Sequence, residues 1–352
     1  MVAAARFSLR PTPSPPPSSD ISPVSHVAHA LTDDGWRIAI HRYAPSATAP
    51  HRRHPVILCH GLGANHLGFD VHPSISLARH LAERGYLTLS IDLRGHGHSE
   101  RPSRTGERRF GWTFDDYLLH DVPTAIAYAM RATGADSVHW IGHSMGGILG
   151  YAHLARGGSA DLRSMIAVGS SLDYSGSSSS FHALVPLGSL LLDRIPLVPI
   201  SLLSQLTAPL AGRVATPFER FNVWPSNTDP AMWRRIAERG FHAVSPPVMS
   251  QLATAMAPGG LRSRDGSIAY IEGLSSATTP VLSIAGDRDP QCPPEAARRT
   301  LEAVGSARRE LLVFGPDHGQ MDHYGHFDLL MGRRAKEEVW THIDQWIDES
   351  DA

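Results

Sequence analysis

The sequence predicts an α/β fold: a mostly parallel central sheet flanked by helices, with a helical cap inserted late in the chain. Three observations carry this expectation. Short runs that are apolar at every position, such as Val56-Ile57-Leu58-Cys59, recur between stretches with helical spacing, which is how strands covered on both faces read. The pentapeptide Gly142-His143-Ser144-Met145-Gly146, a G-x-S-x-G, stands between an apolar strand-like run over 137–141 and a small-residue helical stretch. Finally, residues 172–275 change character, becoming a series of short apolar segments broken by proline.

Taken in order, residues 1–22 are rich in proline and serine and read as a disordered tail. They hold no apolar run long enough for a secretory segment. The acid-free start with Arg6 and Arg10 has something of a transit peptide's composition but not its amphipathic helix. Alternating residues on either side of Asp33-Asp34-Gly35 predict an antiparallel hairpin over 24–43. The run 56–59, a helix over 74–84 and a strand over 86–92 make a strand-helix-strand unit, hence a right-handed crossover between parallel strands. A helix over 115–132 should kink or restart at Pro123. Strands are expected over 137–141, 165–169, 280–286 and 310–314, with helices over 147–155, 294–304 and 334–347. The core is thus assigned to 23–171 and 276–352, and the cap to 172–275. The apolar run over 184–206 is not read as a membrane span, because Pro186, Pro196, Pro199 and the pair Asp193-Arg194 interrupt it.

At 352 residues the chain can bury a sizeable core, and 42% apolar with 19% charged residues is ordinary for a globular protein. With 32 basic against 34 acidic residues and no long run of one sign, nothing points to a nucleic-acid or polybasic membrane partner. Cys59 and Cys292 are far apart and read as free thiols of a reducing, cytoplasmic compartment. The 21 histidines are spread along the whole chain without an H-E-x-x-H or a Cys/His cluster, so no metal and no other cofactor is expected.

Ser144 at the centre of a sharp strand-to-helix turn would be an exposed nucleophile, needing a base, an acid to orient the base, and donors for an oxyanion. In such a sheet these come from other strand ends, in the chain order nucleophile, acid, base. For the acid, Asp289 is preferred: it lies three residues past Gly286 and is stiffened by Pro290. Asp287 and Asp173 are the other candidates. For the base, the segment 315–328 offers His318, His323 and His326, and spacing does not choose among them. A metal site from Asp317, His318, Asp322 and His323 meets no standard ligand spacing. The oxyanion donors would be the backbone N–H groups of Met145, which opens the following helix, and of Leu62, just past His60-Gly61.

These stretches resemble the α/β-hydrolase superfamily, and more narrowly its acid lipase group of gastric and lysosomal lipases. The likeness rests on His60-Gly61-Leu62, Asp92-Leu93-Arg94-Gly95, the segment 110–123 with the G-x-S-x-G, and Tyr324-Gly325-His326-Phe327-Asp328 followed by Glu338-Val339-Trp340. It covers roughly residues 30–348. The family's histidine lies in an N-H-L-D-F stretch, so the resemblance implies His326 as the base. It also implies Asp289 as the acid and the Leu62 amide as a donor. Met145 stands where the acid lipases have Gln, and their secretory signal and cap sequence are not recognisable, so their substrate preference is not carried over. The function so implied is a serine hydrolase that cleaves small-molecule or lipid-like carboxylic esters with an apolar acyl part through an acyl-enzyme, without a cofactor. The alternatives are an acyltransferase or thioesterase on the same triad, and a catalytically silent ligand-binding protein.

Overall fold

In the run Val56–Cys59, Val56 and Leu58 join one apolar cluster while Ile57 and Cys59 join another. Alternate residues of a strand point to opposite faces, so this strand is covered on both sides. The computed structural model describes residues 26–103, 108–185 and 195–351. The expected tail over 1–22 and much of the apolar run beyond residue 185 lie outside the described residues. The strands are β1 (His26–Leu31), β2 (Arg37–Tyr43), β3 (Val56–Cys59), β4 (Asp70–His72), β5 (Ile75–Ser76), β6 (Thr88–Asp92), β7 (Val138–His143), β8 (Leu162–Val168), β9 (Val281–Gly286) and β10 (Arg309–Phe314). Eight of them form one sheet in the order β1-β2-β6-β3-β7-β8-β9-β10, and β4 with β5 makes a small separate ribbon.

Pairing is antiparallel between β1 and β2 and between β2 and β6, and parallel from β6 through to β10. The registers place Cys59 beside Gly142 and Val168 beside His143, so the carboxyl ends of β3, β7 and β8 lie side by side. In such sheets that edge is where ligands bind. β8 divides its side chains as β3 does, Met165 and Ala167 to one cluster and Ile166 and Val168 to the other.

The helices form where local chemistry permits. α1 (Leu77–Glu83) starts at Ser76, whose hydroxyl accepts the Arg79 N–H, and α2 (Phe114–Asp116) carries a reciprocal capping box between Thr113 and Asp116. Chain 117–121 then makes one wide π-type turn before α3 (Val122–Thr133). Pro123 thus sits in the first turn of a new helix, where its missing N–H costs nothing. α4 (Met145–Ala155) follows β7 and is buried along almost its whole length. The helix expected over 334–347 is delivered in two pieces, Ala335–Glu338 and Trp340–Asp351, with buried Val339 between them.

Between β8 and β9 the described chain is helical in short pieces, among them Ile200–Thr207, Pro217–Asn222, Pro230–Arg239 and Pro246–Ala253, three of which have proline in the first turn. Trp233, Ile236 and Phe241 of this stretch share a third apolar cluster with Val71 and Phe327. Among the described residues no helix is long and apolar enough to cross a membrane. Cys59 and Cys292 are free and buried.

One buried cation ties the loops at one end together. Arg94, only 1% exposed, places two nitrogens on Asp34 in the β1–β2 turn (2.6 and 3.0 Å). Its Nε and its backbone N–H donate to Asp121 (2.8 and 2.9 Å). Asp121 is fully buried, so loss of the guanidinium would strand a carboxylate without its partner. Replacing Arg94 by Met is expected to cost about 3–5 kcal/mol of stability in urea denaturation. Asp34→Asn, at the partly exposed end of the pair, should cost less than half as much.

Candidate active site

The turn between β7 and α4 is shaped by close approach. A Cβ on Gly146 would overlap the Cys59 carbonyl of β3, and one on Gly142 would overlap the backbone of Gly146. Only glycine lets the strand, the turn and the helix lie this close. Ser144 between them has φ 52° and ψ −121°, and it is the one non-glycine residue with positive φ among the described residues. Such a conformation costs of order 1–3 kcal/mol and persists only where the surroundings impose it. Here the Ser144 N–H donates to the Val168 carbonyl (2.8 Å), and its own carbonyl accepts from the Ser170 hydroxyl (2.8 Å) and the Gly147 amide (2.9 Å).

Ser144 borders a cavity of about 640 Å³ shared with Leu62, Met145 and His326. His326 is buried in the loop after β10, and its Nδ1–H donates to Asp289 Oδ2 at 2.7 Å. The other oxygen of Asp289 accepts the amides of Gln291 (2.8 Å) and Cys292 (3.0 Å), which fixes the carboxylate against the ring. Nε2 of His326 is buried without a hydrogen-bond partner in the protein. A buried, unpartnered ring nitrogen aimed at neither backbone nor carboxylate is free to bond whatever occupies the cavity. The backbone hydrogen bonds of loops, turns and caps among the described residues use neither the Leu62 nor the Met145 amide.

The rival candidates are engaged elsewhere. Asp287 accepts from the ring of His323 and from the Tyr324 amide (3.0 Å). Asp173 is taken up by the amide and hydroxyl of Ser175 at 2.8 and 2.6 Å. His318 is exposed on a short turn. Asp322 accepts from the Ser226 hydroxyl at 3.0 Å, and the four residues 317, 318, 322 and 323 do not gather as ligands among the described residues.

Sequence reasoning passed over two histidines that hold this arrangement. His143, inside the pentapeptide, donates from Nε2 to the His326 carbonyl (3.1 Å), and its ring centroid lies 4.5 Å from that of His326. Burial, then the neighbouring His326, pushes its pKa well below the usual range, so it works as a neutral donor. His60 donates from Nδ1 to the Gly61 carbonyl (2.8 Å) and accepts the Leu93 amide at Nε2 (3.1 Å), bracing the turn that carries Leu62. Burial and His96 push it down to about 3. The available signal was position alone: each is the residue immediately before a residue assigned to the site or its loop.

The comparisons with known proteins agree with this fold. The family described as alpha/beta hydrolase fold matches residues 54–328. Lipase 1 of Drosophila melanogaster is 33% identical over 127 residues, covering 35% of this chain and 28% of that protein. Gastric triacylglycerol lipase of Rattus norvegicus is 26% identical over 178 residues, covering 49% and 42%. The chain therefore spans less than half the length of these relatives. A soluble variant of monoglyceride lipase from Saccharomyces cerevisiae, solved with a substrate analogue, superimposes with a TM-score of 0.62 at 18% identity, covering 96% of this chain and 99% of that one. A thermophilic esterase from Thermogutta terrifontis gives 0.61 at 16% identity, covering 93% and 100%.

Two residues past His326, Asp328 is fully buried and its carboxyl accepts the amides of Gly325 (2.8 Å) and Trp224 (3.1 Å). Burial outweighs those two hydrogen bonds and raises its pKa to about 7. A carboxyl whose folded pKa exceeds its unfolded value of about 4 holds its proton longer in the folded state, so stability falls as pH rises from about 4 to 7 and is level above that. This contribution, up to about 4 kcal/mol, should vanish in Asp328→Asn. Chemical denaturation at pH 5 and pH 8 is expected to show a smaller loss across that interval in the variant than in the wild type.

Proposed function

The chain belongs to the alpha/beta hydrolase family, and we propose that within it the protein is a serine hydrolase of carboxylic esters with an apolar acyl part. The observation that carries this reading is the joint setting of three groups. Ser144 stands in a forced backbone conformation in the cavity lining, His326 borders the same cavity, and the far side of its ring is held by Asp289.

Ser144 Oγ attacks the ester carbonyl while His326 Nε2 takes its proton, and Asp289 stabilises the imidazolium through Nδ1–H. Charge develops on the carbonyl oxygen, and the N–H groups of Leu62 and Met145 receive it. Each such donor is worth about 3 kcal/mol to the transition state. Collapse expels the alcohol, which takes the proton from His326, and water then enters by the same route in reverse to release the acid. His326 cycles between neutral and charged forms, and the two oxygens of Asp289 divide the work, one on the ring and one on the amides of its own turn.

The apolar acyl preference is supported by the cavity wall. Ile148 comes from α4, whereas Phe181, Phe218, Phe221, Met249 and Leu252 come from the stretch 172–275. We assign that stretch as a cap whose side chains select the acyl chain. Two of the relatives are named as lipases, which fits the same reading for this chain.

A fluorophosphonate probe is expected to label wild-type protein and to leave Ser144→Ala unlabelled. On p-nitrophenyl esters, His326→Ala should lower kcat by on the order of 10⁴-fold or more and Asp289→Asn by about 10⁴-fold, while His318→Ala and His323→Ala stay within a few-fold of wild type. Near-wild-type turnover by His326→Ala would overturn the assignment. Met249→Trp, which narrows the cavity, should shift the preferred acyl length downward in a panel from acetate to palmitate esters without abolishing acetate turnover.

A further inference from the structure

The fold gathers four donors that the sequence scatters. Asp92 ends β6, His41 lies on the neighbouring β2, His66 opens the turn His66–Gly68, and His98 follows in the loop after β6. Each offers one ligand atom, and these atoms all lie within 4.8 Å of one another. We propose that His41, His66, His98 and Asp92 bind one zinc-type divalent cation.

The spacing suits such an ion. With bonds of about 2.0–2.1 Å, the edges of a tetrahedral zinc site are about 3.3 Å. His41 Nε2 lies 2.9 Å from Asp92 Oδ2, and His66 Nδ1 lies 3.1 Å from Asp92 Oδ1. The carboxylate is oriented independently of the rings, since the His66 amide donates to Oδ1 and the His98 amide to Oδ2, both at 2.8 Å. Ligating carboxylates are held by such outer hydrogen bonds.

Three imidazole rings meet at Asp92. His41 and His66 stack with centroids 3.6 Å apart, and His98 lies 5.1 and 5.4 Å from them. Three rings around one carboxylate are a donor set of three nitrogens and one oxygen, the composition favoured by zinc or cobalt and not by magnesium or calcium, which take oxygen ligands. To bind, the ring nitrogens of His41 and His66 that face Asp92 present lone pairs to the ion, and any proton they carry passes to the other ring nitrogen or is released to solvent. Asp92 and His41 are buried, His66 is nearly so and His98 is exposed, which leaves an entry path past His98.

The site is separate from the ester chemistry, because none of its four residues lines the cavity at Ser144. Its effect would be to clamp β2, β6 and the start of the turn at His66 together. That turn continues the loop whose other end bears Leu62.

The test uses full-length protein freed of metal by chelation and titrated with zinc chloride in a calorimeter, and with cobalt chloride followed by visible absorption. One equivalent per chain is expected, with a cobalt band of a low-coordinate nitrogen and oxygen site and a higher Tm in the presence of zinc. His98→Ala, at the exposed rim, should weaken zinc binding at least tenfold and remove the cobalt band. His66→Gln should do the same and is decisive if His98→Ala does not fold. Ser144→Ala and the double variant His318→Ala/His323→Ala should bind as the wild type does, which separates this site from the hydrolase reading and from adventitious surface histidines. Absence of a saturable equivalent in the wild type, or wild-type affinity in the folded His98→Ala variant, would overturn the proposal.

Discussion

The contact between the start of α4 and the end of β3 is the constraint on which the rest depends. Glycines at 142 and 146 allow the helix to press against the Cys59 carbonyl, and that closeness leaves Ser144 no relaxed conformation. The strain is held by hydrogen bonds to β8 and to Ser170, so the sheet itself holds Ser144 against the cavity. The same packing brings Gly61 against the turn, where an added Cβ would sit 2.9 Å from the Ser144 Cβ. The approach of Leu62 and the approach of α4 are therefore consequences of one arrangement.

Much of this is legible in the sequence because it is local. A run apolar at every position marks β3, mostly apolar runs mark β7 and β9, and the spacing of glycines around Ser144 marks the turn, since each signal is a steric or burial requirement on adjacent residues. Pro290 after Asp289 marks a stiff turn in the same way. The choice among His318, His323 and His326 is not local: it depends on which ring the loop after β10 turns toward Asp289, and that is set by contacts with chain 100 to 180 residues away. His143 and Trp224 supply such contacts, one to the His326 carbonyl and one through Asp328. No periodicity records them. The histidine cluster around Asp92 is hidden for the same reason, because the pairing of β2 with β6 brings His41 beside residues fifty positions later.

The frequency of histidine takes on meaning once the rings are placed. Many sit in pairs with a carboxylate or a carbonyl, as His54 and His139 do with Asp351 and His80 does with Asp344. In each pair a ring nitrogen meets a carboxylate oxygen from a distant part of the chain, so the ring both satisfies the carboxylate and ties the two segments together. His242 accepts at Nε2 from both the Asn65 side-chain amide (3.0 Å) and the Gly97 backbone amide (3.1 Å), and burial, then His96, pushes its pKa down to about 3. Histidine here connects loops, and the loop from His60 to Gly68 is held both by His60 itself and by His242 through Asn65.

This distribution separates two kinds of constraint. The elements at the carboxyl edge of the sheet are fixed by backbone contacts and buried hydrogen bonds: Ser144 by β8, Asp289 by its own turn, His326 by His143 and Asp289. The cavity wall is fixed differently, by side chains of short helices, some packed on the small apolar cluster around Trp233 and Phe241 and others, such as Met249 and Leu252, on the main core. Substitutions in that wall change volume without disturbing a hydrogen bond of the edge, and buried apolar volume is tolerant where polar satisfaction is not. The proposed chemistry and the substrate it admits therefore reside in physically separable parts of the chain. They are joined by Phe327, which follows His326, packs on His143 and belongs to the cluster around Trp233, and by Gln291, whose backbone N–H donates to Asp289 and whose side chain donates to the Phe221 carbonyl. A change of shape in the wall therefore reaches His326 both through the ring beside it and through the turn that holds Asp289.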